Sequence, residues 1–268
     1  MKREVQEYWS RYPPGIDSPG KDIPFGSKLF YKAIDERRIR LESYILPLLK
    51  SLNCNKEDLL EIGIGLGTDM RQCIKLGAHA VGIDLSKSNA LISKRGLKVN
   101  ELDGEVIVAD AENLPFREES FNIVYSFGVL HHTPDTREAV NEAHRVLKHQ
   151  GRLLIMLYHK GLAYLWIIFR YGVFSLELMR LPLERLISER YDHTPLSKMY
   201  SKKRAKQLFR QFSRIKLKCL NFGAIQEHPQ LKILWRLYKT IPILEGMLGS
   251  FLIISAEKDC ENEAVEEL

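Results

Sequence analysis

Three carboxylates stand where short apolar runs end. Glu61 stands near the end of "DLLEIG" (58–63), Asp84 near the end of "AVGIDLS" (80–86) and Asp110 near the end of "EVIVADAE" (105–112). Behind the first of them comes "LEIGIGLGTDM", with Gly63, Gly65 and Gly67 at alternate positions. Glycine at every second position is costly in regular structure, because each one gives up conformational entropy and packs no side chain. Such a loop lets its backbone approach a ligand, and a helix that starts there offers unpaired N–H donors. A carboxylate about twenty residues beyond a glycine loop is suited to accept from ribose hydroxyls. A dinucleotide fingerprint requires GxGxxG, but the third glycine comes one place early and Thr68 stands in the required position. Glu61 also directs a negative charge to where a pyrophosphate would lie. That charge repels an anion and attracts a cationic or amino-bearing ligand. The chemistry indicated is that of a nucleoside with a positively charged substituent.

The elements that must position these acids follow from periodicity. Apolar runs at 58–63, 80–86, 105–112, 121–128 and 151–159 alternate with helical stretches at 68–77, 87–100 and 133–148. Alternation of this kind predicts a parallel sheet covered by helices on both faces, and near-continuous apolarity fits doubly buried strands. Residues 28–52 read as a helix interrupted at Pro47. "RIKLKCLNF" (214–222) alternates as a strand, and "FLIISAEK" (251–258) is a last strand. If both join the sheet edge, the first is the antiparallel candidate.

Five stretches carry a resemblance when taken in order: "LEIGIGLGTD", "GIDLS", "ADAENLPF", "FNIVYSFGVLHHTPD" and "RVLKHQGRLLIMLYHK". Together they resemble the motifs of class I S-adenosylmethionine-dependent methyltransferases, in particular the small-molecule branch that includes the ubiquinone and menaquinone type. The resemblance covers roughly residues 55–160. It implies an α/β fold: a doubly wound, Rossmann-like, seven-stranded, mostly parallel sheet with an antiparallel edge strand and a helical insertion after the fifth strand. It implies S-adenosylmethionine as the cofactor. Gly63, Gly65 and Gly67 would line its methionine and ribose portion, and Glu61 would face the amino group. Asp84 would hold the ribose hydroxyls, with Leu85 beside the adenine. Asp110 would accept from the adenine amine and Ala111 would offer its N–H. Ser126 and Phe127 would border the methionine moiety and the reacting methyl.

For proton removal the sequence offers His131 and Tyr158 as catalytic candidates, with His132, Tyr31 and His159 as weaker ones. Adjacent histidines point in different directions, so the pair does not suggest a metal site, and none is expected. Four scattered cysteines without a CxxC pair argue against a disulfide framework. No apolar leader and no run of 18 apolar residues are present, so the expected compartment is the cytoplasm.

The expected organisation is an N-terminal arm and helix acting as a lid (1–52), a cofactor-binding core (53–160), a helical substrate cap (161–213), strands completing the sheet (214–258) and an acidic tail (259–268). In the arm, Tyr8, Trp9 and Tyr12 are the residues suited to cover a cofactor. Within the cap, "LAYLWIIFRYGVFSLELM" (162–179) reads as a buried lid helix, a pocket wall or a membrane-surface contact. The basic run 197–218 reads as an amphipathic helix with a solvated face. A net charge of +6 is too weak to indicate nucleic acid. The expected partner is a small-molecule or lipid-like methyl acceptor. Methylation of RNA or protein, and a non-catalytic cofactor-binding module, are the alternatives.

Overall fold

The computed structural model describes residues 1–17, 20, 22–161, 165, 168–169, 183–220 and 249–259. Most of the apolar stretch 162–179, most of the segment between the last two strands and the acidic tail from 260 onward lie outside the described residues.

The chain opens with α1 (Lys2–Arg11), α2 (Lys28–Leu41) and α3 (Ile45–Ser51). The break between α2 and α3 falls at residues 42–44 and not at Pro47, which sits in the first turn of α3. A first-turn N–H has no partner to lose, so proline is tolerated there. Then follow β1 (Asp58–Ile62), α4 (Thr68–Lys75), β2 (His79–Asp84), α5 (Lys87–Val99), β3 (Glu105–Val108) and β4 (Phe121–Phe127). A 3-10 turn at Leu130–His132 leads to α6 (Thr136–Val146) and β5 (Leu147–His159). The described remainder holds α7 (Leu183–Ile187), a π-helical turn (Ser188–Asp192), the two-residue strand β6 (Met199–Tyr200), α8 (Lys202–Leu208), β7 (Ser213–Leu220) and β8 (Phe251–Glu257). Local chemistry sets the helix starts. Ser86, Asp135 and Ser201 cap α5, α6 and α8 with side-chain oxygens that accept from backbone N–H groups.

The strands form one sheet in the order β3-β2-β1-β4-β5-β8-β7, with β6 paired to the end of β5. Strands β1 to β5 are parallel. The expected antiparallel element is present at the β7 edge, but a different strand is reversed. It is β8, antiparallel to both β5 and β7, so the outermost strand β7 runs parallel to β5. An alternating pattern marks a strand without fixing its direction.

Successive residues of β1 divide between two cores. Leu60 and Ile62 enter one face with β5, α6 and α8 residues such as Ile155, Val140 and Ala205. Leu59 enters the other with Met70 and Cys73 of α4 and Leu97 of α5. Each such side chain contributes about 1.5–3 kcal/mol when fully buried. Glu61 shares the face of Leu59 and is 4% exposed. The carboxyl ends of β1, β2, β3 and β4 come together beside the point where strand order reverses, the position at which doubly wound sheets bind ligands.

Candidate active site

A cleft of about 840 Å³ opens at those strand ends. Its floor includes Gly63, Gly65, Asp84, Leu85, Asp110, Ala111 and Phe127, seven of the residues singled out in the sequence.

The three glycines of the loop have separate reasons to be glycine. All have positive φ, at +79° for Gly63, +51° for Gly65 and +72° for Gly67. A Cβ on Gly63 would stand 2.2 Å from Val129 Cγ2, and one on Gly67 would stand 2.1 Å from Ser93 Oγ. Protein side chains therefore occupy the space at those two. Gly65 has nothing within 4 Å of its Cβ position and faces the cleft. Its N–H donates to Asp84 Oδ2 at 2.9 Å, which ties the loop to the end of β2. The carboxylate also accepts from the Ser86 N–H at 2.8 Å. Burial raises the Asp84 pKa, opposed by these two backbone hydrogen bonds.

Asp110 accepts from the Glu112 N–H at 2.9 Å and from Lys2 Nζ at 2.6 Å. Lys2 is equally close to Glu112. Through this bridge α1 reaches the base end of the cleft. Gln6 of the same helix donates to the Leu85 carbonyl at 2.8 Å, and Ser10 Oγ donates to Ser86 Oγ at 2.9 Å. Trp9 lines the cleft edge-on to His132, with ring centroids 5.1 Å apart. Tyr8 packs on Trp9 and Tyr12 packs on Tyr8, and neither tyrosine is among the cleft residues.

Glu61 lies under the glycine loop, and its Oε2 has no hydrogen-bond partner among the described residues. Burial first, and then the neighbouring Asp69, push its pKa well above the carboxylate range, against Arg38 and Arg71. Asp69 is itself held by Arg38 Nη2 at 3.0 Å and by the Tyr125 hydroxyl at 2.7 Å. The Arg38 guanidinium stands 4.8 Å from the centroid of the Phe127 ring, which joins this polar cluster to the cleft. Ser126 is fully buried and points away from the cleft, donating to the Ile62 carbonyl at 2.9 Å.

The two histidines separate clearly. His131 is 0% exposed, neither ring nitrogen has a partner among the described residues, and it is not a cleft residue. Burial holds its pKa well below the usual value. Its ring lies against Tyr158 at 3.9 Å between centroids, and the Tyr158 hydroxyl donates to Asp192 Oδ1 at 3.0 Å. His132 lines the cleft. Its Nδ1 is 2.7 Å from the Leu196 carbonyl, an acceptor, so Nδ1 carries the hydrogen and Nε2 the lone pair. Burial depresses its pKa, opposed by Asp192 and by the Leu196 hydrogen bond. His159 belongs to the sheet core beyond the cleft, bonded to the Gly249 carbonyl at 2.8 Å, and Tyr31 donates to the Ile92 carbonyl at 2.6 Å.

Lys2, Gln6 and Asn89, which line the cleft, and Arg38, which stands over Phe127, were not singled out in the sequence. Only Asn89, in the first turn of the helix that follows Asp84, was near enough in sequence to have been found.

A methyltransferase-domain family model matches residues 60–155. Phosphoethanolamine N-methyltransferase 2 of Caenorhabditis elegans is 35% identical over 108 residues, 39% of this chain and 24% of that protein. Demethylmenaquinone methyltransferase of Thermotoga maritima is 38% identical over 108 residues, 39% of this chain and 45% of that protein. The chain thus spans less than half the length of these two curated relatives. A SAM-dependent methyltransferase from Thermotoga maritima has a similar fold, with a TM-score of 0.53 at 20% identity over 86% of this chain and 99% of that one. The five ordered motifs, the strand order and the acids at three strand ends agree with this methyltransferase-domain match over residues 60–155.

Proposed function

We propose that the chain binds S-adenosylmethionine in this cleft and methylates a small, hydrophobic or lipid-like acceptor. The observation that carries the reading is the fit of the cleft to a ribose, a base and a cation. Asp84 and Asp110 line it, Gly65 leaves its backbone open to it, and Glu61, whose buried Oε2 has no partner among the described residues, stands just before the glycine loop. Bound there, the cofactor supplies an electrophilic methyl on a sulfonium sulfur.

The chain's own residues have simple tasks. Asp110 accepts from the base, Asp84 from the ribose, and Glu61 stabilises the ligand's amino group. Alignment of two reactants can lower a barrier by about 7–11 kcal/mol. Excluding water falls to α1, whose Val5, Gln6 and Trp9 form one wall of the cleft. A neutral thioether leaves without a proton, so acid–base help is needed only if the acceptor atom carries one. For that step the geometry favours His132 over His131, because its tautomer leaves Nε2 able to take a proton and it borders the cleft. Tyr158 then acts from behind, through its hydrogen bond to Asp192.

The acceptor end is bordered by Trp9, Val129, His132 and Pro134, a setting for an apolar body with one polar group. One relative is named for an amine and another for a quinone, so both classes belong in the test panel. Transfer of labelled methyl to these acceptors tests the reading. His132→Ala should lower kcat by about 10²–10⁴-fold on a hydroxyl or ammonium acceptor, with cofactor affinity unchanged. Full activity in that variant would remove the proton-transfer role. Cofactor binding without transfer to any of the panel would favour a non-catalytic module.

A further inference from the structure

Asn89 lies in the first turn of α5, lines the cleft and is 2% exposed. Its amide nitrogen faces both oxygens of Asp84, at 3.4 Å and 3.5 Å. A side-chain carbonyl turned toward a carboxylate would be repelled, so the amide has one favourable orientation. In that orientation Asn89 Oδ1 is a buried acceptor with no partner among the described residues. A buried, unpaired polar atom is costly, and one that borders a binding cleft points to a donor supplied by the ligand.

The condition of Asp84 leads the same way. Its Oδ1 already accepts from the Ser86 N–H and its Oδ2 from the Gly65 N–H, and both face the Asn89 amide. A carboxylate has about four acceptor positions, so little capacity remains for two further donors. A ribose brings two adjacent hydroxyls. We propose that Asn89 is a second reader of the cofactor's ribose, its Oδ1 accepting from one hydroxyl while Asp84 accepts from the other. The ligand class that completes both acceptors is an adenosine with an intact vicinal diol. This rests on the S-adenosylmethionine reading above.

The test is calorimetric titration of the parent chain and Asn89→Ala with S-adenosylhomocysteine and with its 2′-deoxy and 3′-deoxy counterparts. Asn89→Ala should weaken the full ligand by about 10-fold. It should leave one of the two deoxy compounds bound as the parent chain binds it, because that compound lacks the hydroxyl that Asn89 reads. An equal loss for all three ligands would mean that Asn89 acts only by orienting Asp84, and would overturn the proposal, as would no loss at all. Thermal unfolding establishes that the variant is folded; if it is not, Asn89→Ser carries the same comparison. Failure of the parent chain to bind S-adenosylhomocysteine would overturn the cofactor reading and this inference with it, and is distinguishable because it needs no substitution.

Discussion

Glu61 carries the sharpest conflict between stability and binding in the chain. Its carboxyl is buried with one oxygen unpartnered, and its pKa is raised well above the ordinary value. A carboxyl whose folded pKa exceeds the unfolded one contributes most below the unfolded value and loses that contribution as pH rises through the folded value. Glu61→Gln removes the charge at constant shape. The variant should be more stable than the parent at neutral pH by about 1–3 kcal/mol, with the gap closing as pH falls toward the ordinary Glu value, and should bind S-adenosylmethionine more weakly. Chemical denaturation at several pH values measures the first part. A less stable Glu61→Gln would mean that the carboxylate is structurally satisfied. Residues of this kind were legible in the sequence because they follow local rules: Glu61, Asp84 and Asp110 stand at or just past strand ends. The choice between His131 and His132 was not legible. It depends on the Leu196 carbonyl, 64 residues away, which fixes one ring and leaves the other in the core.

Among the elements, the glycine loop and α1 do most to shape the cleft. Gly63 and Gly65 look alike in the sequence and differ in surroundings. Gly63→Ala would drive its Cβ into Val129 at a left-handed φ, whereas Gly65→Ala meets open space and bears only backbone strain of about 1–2 kcal/mol. Gly63→Ala should therefore lower the unfolding temperature strongly. Gly65→Ala should stay folded and lose cofactor affinity, because its methyl projects into the cleft. Thermal scans with paired titrations separate the two, and equal behaviour in both would contradict the account. The helix α1 buries only Val5 and is held largely by polar contacts from Lys2, Gln6 and Ser10. Segments held this way open at low cost, as a lid over a ligand requires. The sequence marked the N-terminal arm as ordered but irregular, whereas Lys2–Arg11 form the helix α1. It could not reveal that Lys2 meets Asp110, a contact across 108 positions.

For the whole molecule, the number of parallel strands followed from periodicity, because alternating apolar runs and helices predict a parallel sheet. The reversed strand β8 did not, since strand direction depends on the path of the chain between β7 and β8. No helix among the described residues is long and apolar enough to cross a membrane. A collective property of the molecule is its set of buried and half-buried histidines. The pKa values of His131, His132, His144 and His159 are all lowered, with burial the largest cause in each. A histidine with a depressed folded pKa takes up protons on unfolding, so stability falls as pH drops below about 6.5. Thermal unfolding between pH 7.5 and about 5 should therefore give a declining midpoint, and His131→Phe should flatten part of that slope. A midpoint that rises toward pH 5 would mean that Glu61 and Asp84, which act in the opposite sense, dominate.

The cofactor reading underlies every functional statement above. Its most direct test is isothermal calorimetry of the chain with S-adenosylmethionine, with NADH in parallel, in the parent and in Asp84→Ala. The account predicts micromolar binding of S-adenosylmethionine, no binding of NADH, and loss of the first by at least about 10-fold in the variant. Binding of NADH in place of S-adenosylmethionine, or S-adenosylmethionine binding indifferent to Asp84, would contradict it.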